Sequence, residues 1–117
     1  MSLPKVSIIL VSYNTAEHTL RALESVYEQT HTPFEVIVVD NQSSDHSVAS
    51  IRAQFPQVRL IESATNDGFA AGVCQGVAVA TADYWLLLNP DTQVLNGAID
   101  TLLQFAAEYP DHGLWGG

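Results

Sequence analysis

Four short apolar runs separated by amphipathic stretches constrain this chain more than any other feature. Residues 6–11 (VSIILV), 36–39 (VIVV) and 85–88 (WLLL) are nearly continuous rather than alternating. That is the pattern of strands buried on both faces, as in a parallel sheet covered by helices. Residues 58–61 (VRLI) are shorter and more mixed, which predicts an edge strand. Helical periods fill the gaps. Ala16, Leu20, Leu23 and Tyr27 mark one apolar face, with Asn14 expected as N-cap and Glu17 as its capping-box partner. Val48, Ile51 and Phe55 mark a second helix, begun by Ser43 or Ser44 and stopped by Pro56. Phe69, Val73, Val77 and Ala80 mark a third. Leu95, Ala98, Ile99, Leu102, Leu103 and Ala106 mark a fourth, the cleanest of the set. The order β-α-β-α-β-α-β-α, with a last strand expected at residues 113–115, predicts an α/β fold. Its sheet is Rossmann-like, open, twisted and mostly parallel, with right-handed crossovers and helices on both faces.

At 117 residues and 47% hydrophobic, the chain fits one domain with a real core. No apolar run approaches the ~18–20 residues of a membrane span, and the N-terminus lacks a signal-peptide layout. Cys74 is the single cysteine, which excludes an internal disulfide or a Cys-rich zinc site and predicts a small buried apolar residue. A cytoplasmic location is the expectation. Four basic residues (Lys5, Arg21, Arg52, Arg59) face thirteen acids, for a net charge of −9. No Lys or Arg follows Arg59. Such a surface repels nucleic acid and anionic membranes, so neither is an expected partner. A phosphorylated ligand would have to be neutralised by a metal ion and backbone amides.

In open α/β sheets, ligands bind beyond the carboxyl ends of the strands, where the strand order reverses. Polar clusters follow each run here: Ser12-Tyr13-Asn14, Asp40-Asn41-Gln42-Ser43-Ser44, Asn66-Asp67-Gly68 and Asn89-Pro90-Asp91. All four are expected on one rim. The first turn lacks glycine and there is no Gly-Lys-Ser/Thr, which excludes a dinucleotide fingerprint and a P-loop. A phosphoacceptor receiver is excluded by Ser12 and Tyr13 where acids would stand. Asp40 can accept from a base N–H or ribose hydroxyls, or simply favour the next helix dipole. Tyr13 offers a flat face for a base, or packs under its loop. Asp91 suits a hard divalent cation bridging two phosphates, with Asn89 supplying an amide oxygen; the bland alternative is a turn ending the strand. Gly68, Gly72 and Gly76 recur every fourth residue. Close helix–sheet packing accounts for Gly76, while Gly68 sits at the helix mouth near a ligand. The four histidines lack metal-ligand spacing.

Together, Val6-Ser7-Ile8-Ile9-Leu10-Val11-Ser12-Tyr13-Asn14, Val38-Val39-Asp40-Asn41-Gln42-Ser43-Ser44, Asn66-Asp67-Gly68-Phe69-Ala70-Ala71-Gly72 and Leu87-Leu88-Asn89-Pro90-Asp91-Thr92 resemble family 2 glycosyltransferases. These are inverting, nucleotide-sugar-dependent enzymes of the GT-A fold. The Asn-Pro-Asp form and the Asn-x-Gly-Phe loop look most like the rhamnosyltransferase-like branch.

The resemblance implies transfer of a sugar from a nucleoside-diphosphate sugar to a saccharide or lipid-linked acceptor hydroxyl, with inversion and metal assistance. That chemistry belongs to cell-wall or polysaccharide biosynthesis. Ser12, Tyr13 and Asp40 would line the nucleoside pocket, Asn14 would belong to the nucleotide-sugar site, Asn66 and Gly68 would lie near the donor, and Asn89 and Asp91 would hold Mg²⁺ or Mn²⁺. Asn89 replaces the first acid of the family's Asp-x-Asp, and Val73-Cys74 stands where an Asn-Asn pair is frequent. The general base is expected beyond Gly117. Residues 1–4 are expected to be an added or flexible N-terminus. Residues 5–117 are expected to be the nucleotide-sugar-binding half of a GT-A domain that stops before the acceptor-binding half, inactive alone. A homodimer through an unfinished sheet edge is a further expectation. The alternative is a non-catalytic nucleotide-binding or protein-docking module.

Overall fold

The computed structural model describes residues 4–108. Four strands alternate with four helices: β1 (Val6–Ser12), α1 (Ala16–Gln29), β2 (Phe34–Asp40), α2 (Ser47–Gln54), β3 (Arg59–Glu62), α3 (Phe69–Val79), β4 (Tyr84–Leu87) and α4 (Ala98–Glu108). The strands form one parallel sheet in the order β3-β2-β1-β4. β1 is central, with Val6 opposite Phe34 on one side and Tyr84 on the other. The expected α/β class, parallel sheet and edge position of the third strand are all observed.

Successive strand side chains point to opposite faces, so the continuous apolar runs feed two cores. Val6, Ile8, Leu10, Val36 and Val38 pack with Ala22, Leu23 and Val26 of α1, Ile51 of α2, and Ile99 and Leu103 of α4. On the other face, Ile9, Ile37 and Val39 meet Val77 and Val79 of α3. Helix α3 approaches through glycine: a Cβ on Gly72 would stand 2.7 Å from Val11 Cγ1, and one on Gly76 would stand 2.6 Å from Ile9 Cγ2. Both glycines therefore serve close packing.

Two carboxylates pin long-range junctions away from the ligand rim. Glu35 Oε2 accepts from Ser7 Oγ at 2.6 Å, Thr81 N at 2.7 Å and Thr81 Oγ1 at 2.9 Å, tying the entry of β4 to β1 and β2. Asp100 accepts the N–H groups of His31 at 2.9 Å and Thr32 at 2.7 Å, docking α4 on the loop before β2.

Several local expectations are corrected. Asn14 is not the N-cap of α1. Its φ of 51° places it in the left-handed region, and Thr15 takes the cap position without a side-chain bond. Helix α2 begins at Ser47 rather than at Ser43 or Ser44, because those serines are engaged by Asp40 and Asn14. Cys74 is exposed, since the glycine face of α3 meets the sheet and the cysteine lies off it. Leu95 precedes α4 and is exposed. The WLLL run is only half covered: Trp85 is 57% and Leu87 49% exposed, because α3 lies over β1 and β2 and, among the described residues, β4 pairs with β1 alone. A groove of about 470 Å³, lined among others by Val73, Val77, Trp85 and Leu87, opens there. The strand expected at residues 113–115 lies outside the described residues, as do residues 1–3 of the N-terminal segment. No helix among the described residues is long and apolar enough to cross a membrane.

Candidate functional site

Because every described strand is parallel, the four loops after the strands share one rim, and the strand order reverses between β1 and β4. The four polar clusters read from the sequence lie on these loops.

The β1 end is built from hydroxyls and one unusual backbone turn. Ser12 is buried, and its Oγ lies 3.2 Å from Thr15 Oγ1 and 3.1 Å from Thr19 Oγ1. Its hydroxyl thus faces α1. Tyr13 follows, 49% exposed at the rim. Asn14 then turns the chain and grips the β2 loop: its N–H donates to Ser43 Oγ at 2.9 Å, and its Oδ1 accepts from Ser44 N at 2.8 Å and Asp45 N at 3.3 Å.

Asp40 closes β2 and is 2% exposed. Its Oδ1 accepts from Ser43 Oγ at 2.6 Å and its Oδ2 from Ser43 N at 2.9 Å, which satisfies a carboxylate sunk into the sheet end. Asn41 and Gln42 then reach sideways. Asn41 Nδ2 donates to Gly68 O at 3.1 Å and Gln42 Nε2 to Ala64 O at 2.9 Å, so the β3 loop hangs on the β2 loop. Within that loop Asn66 Oδ1 accepts the N–H of Gly68 at 3.2 Å, an Asx turn. Gly68 has φ 93°, a backbone that side-chain-bearing residues rarely adopt, and no neighbour lies within 4 Å of its missing Cβ.

Asp45 was not singled out from sequence, yet its carboxylate joins two helix starts. Oδ2 accepts the N–H of Ala16, and Oδ1 accepts the N–H of Ser47 at 3.0 Å. Burial works against its ionisation, but the bonds from Ser47 and Ala16 and the charge of His46 outweigh it. They hold its pKa below the ordinary carboxylate value.

The β4 end is simpler. Asn89 and Asp91 are exposed on a turn closed by Thr92 N donating to Asn89 O at 3.0 Å. Among the described residues no group of three or more His, Cys, Asp or Glu could hold a metal. Two oxygen donors nevertheless fit a hard cation that takes the rest of its shell from phosphate and water. None of the four basic residues sits on a rim loop: Lys5 precedes β1, and Arg21, Arg52 and Arg59 lie within α1, α2 and β3. An anionic ligand would find backbone amides there rather than ammonium or guanidinium groups.

A family model described as Glycosyl transferase family 2 matches residues 7–117. The uncharacterized glycosyltransferase YibD of Escherichia coli K12 is 32% identical over 107 residues, covering 89% of this chain and 31% of that protein. An N-acetylglucosaminyl-diphospho-decaprenol L-rhamnosyltransferase of Mycobacterium tuberculosis is 30% identical over 120 residues, covering 93% of this chain and 39% of that protein. The chain thus spans about a third of the length of these curated relatives. Among solved structures, a mannosyltransferase, PcManGT from Pyrobaculum calidifontis in complex with GDP-Man and Mn²⁺, superposes with a TM-score of 0.80 at 23% identity, covering 89% of this chain and 32% of that one. S. aureus TarS 1-349 in complex with UDP gives a TM-score of 0.80 at 21% identity, covering 91% of this chain and 33% of that one.

Proposed function

Because the chain belongs to glycosyl transferase family 2, we propose that residues 5–117 form the nucleotide-sugar-binding part of a GT-A glycosyltransferase domain. The enzyme transfers a sugar from a nucleoside-diphosphate donor to a saccharide or lipid-linked acceptor hydroxyl, with inversion. One observation carries this reading: Tyr13, Asp40, Gly68 and Asp91 lie at or after the ends of four different strands, and all stand on the rim where the strand order reverses.

The Tyr13 ring supplies a stacking face for the base. Asp40, nearly buried and held by Ser43, would offer base or ribose donors only the lone pairs that Ser43 leaves unused. The Asn66–Gly68 turn, braced by Asn41, brings backbone N–H groups toward the donor. Asn89 and Asp91 would hold Mg²⁺ or Mn²⁺. Bound there, the cation would supply charge neutralisation for the diphosphate leaving group. The need for it follows from the rim, whose loops contribute Asp45, Asp67 and Asp91 and no Lys or Arg. No described carboxylate is assigned as the general base. The same reading places the enzyme in the cytoplasm, in cell-wall or polysaccharide synthesis, and includes a homodimer through the edge of β4 that no described strand pairs.

Thermal stability in UDP, dTDP, GDP and CDP, each with and without Mn²⁺, tests the site. A ligand at a hundredfold excess over its Kd stabilises the folded state by about 2.7 kcal/mol. A metal-dependent rise with one nucleotide supports the donor site. No rise with any of them, on folded protein, overturns it.

A further inference from the structure

We infer that Asn14 is a positioning residue of the donor site rather than a contact to the donor. It fixes the Tyr13 ring relative to the Asp40 carboxylate by latching the β1 loop to the β2 loop. The inference rests on the donor-site reading above and assigns Asn14 a part within it.

The geometry commits both the backbone and the side chain of Asn14 to its neighbours. The left-handed turn at φ 51° reverses the chain directly after Tyr13 and lets α1 start two residues later. Asn is among the few side-chain-bearing residues that tolerate this region. The N–H of Asn14 donates to Ser43 Oγ, and that hydroxyl donates to Asp40 Oδ1, so an unbroken path runs from the peptide beside Tyr13 to the Asp40 carboxylate. In parallel, Asn14 Oδ1 accepts from Ser44 N at 2.8 Å, Ser44 Oγ at 3.3 Å and Asp45 N at 3.3 Å. The side-chain oxygen that a ligand would need is already surrounded by three donors of the adjacent loop. Asp40 ends β2, whereas Tyr13 lies just past β1, beyond the last ladder bond from Asn41 N to Ser12 O, so strand pairing no longer fixes its place relative to Asp40. The latch sets it across the rim, where a base would have to fit.

Two substitutions separate positioning from contact. Asn14→Gly keeps the left-handed backbone and removes the accepting oxygen. Asn14→Asp keeps an accepting oxygen and removes the amide N–H₂. Amide exchange at residues 43–45 and calorimetric titration with UDP, GDP, dTDP and CDP in Mn²⁺ are read on the full chain. Salt is held near 0.5 M to screen the charge added by Asn14→Asp. In Asn14→Gly, exchange at Ser44 and Asp45 should speed up and affinity should fall about tenfold, as for one lost hydrogen-bonded anchor. In Asn14→Asp, both should stay within about threefold of the parent, since the accepting oxygen is kept. Equal losses of affinity in the two variants, with exchange unchanged in Asn14→Asp, would make the amide a direct ligand contact and overturn the inference. Unchanged affinity in Asn14→Gly would overturn it as well. A parent chain that binds none of the four nucleotides overturns the donor-site reading itself, before any variant is made.

Discussion

Asp45 caps Ala16 from 29 residues away, its Oδ2 accepting the first N–H of α1 at 3.2 Å while its Oδ1 accepts the N–H of Ser47 at the start of α2. A single carboxylate thus satisfies orphan donors at two helix N-termini, where negative charge is also favoured by the helix dipoles. Removing it by Asp45→Ala should cost about 1–3 kcal/mol, the range for one to two lost caps, measured by urea unfolding at neutral pH. The pH dependence has a definite sign. Asp45, Asp100 and Glu35 are all held below their ordinary carboxylate values: burial opposes ionisation in each, and the hydrogen bonds they accept prevail. Depressed folded values mean that their stabilisation is complete above the ordinary values of 3.8 and 4.5 and is lost as pH falls through the folded ones. Stability should therefore decline below about pH 4, and less steeply in Asp45→Asn. A parallel decline in parent and variant would refute the assignment.

Gly76→Ala should destabilise the fold although alanine is the better helix former. The gain in helix propensity is at most about 1 kcal/mol. The new methyl would lie 2.6 Å from Cγ2 of Ile9, a buried β-branched residue of the central strand that has no room to move. Overpacking of this kind costs about 1–3 kcal/mol. A variant as stable as the parent in urea would show that α3 rides further from the sheet.

Asp91→Ala should abolish the Mn²⁺-dependent part of nucleotide binding, because it removes the carboxylate on the turn after β4. Asp40→Asn should weaken binding with and without metal. The two oxygens of Asp40 each accept from Ser43, and an amide NH₂ in place of one of them loses a bond and loosens the seat. Titration with and without Mn²⁺ checks both. Metal-dependent affinity that survives Asp91→Ala would remove that residue from the cation site.

Leu87→Lys should suppress self-association. Among the described residues β4 has a strand neighbour on one side only and no charge between Tyr84 and Leu88, and Trp85 and Leu87 stand half-exposed. Such an edge invites pairing, and an inserted lysine is an effective block. Sedimentation across a concentration series should show the parent associating and the variant monomeric. A monomeric parent would exclude the homodimer.

The strand positions were legible because buried parallel strands write themselves as unbroken apolar runs. The parallel order and the shared rim followed from the alternation with helices. Partners across loops were not legible. Asn14 reads as an N-cap because the helix begins beside it, but nothing in a linear sequence shows that its oxygen serves residues 44 and 45 instead. Helix α3 is apolar nearly all round, so its period could not reveal that the two glycines form the packed face and leave Cys74 outside. For β4 the run WLLL implied cover on both faces, whereas Trp85 and Leu87 are left about half-exposed among the described residues.

The order β3-β2-β1-β4 also bears on how the chain is made. Of the four described strands, the one flanked by β2 and β4 is the first to be synthesised. It gains one neighbour when Phe34 and its successors arrive, but its other edge waits about 50 residues longer, until Tyr84. At ~5–20 residues per second, that is a delay of several seconds on the ribosome. Through this interval β1 stays half-paired while α2, β3 and α3 are added in turn, and α3 comes to cover its Ile9 and Val11 face. The second pairing of β1 thus has to wait for translation to reach β4.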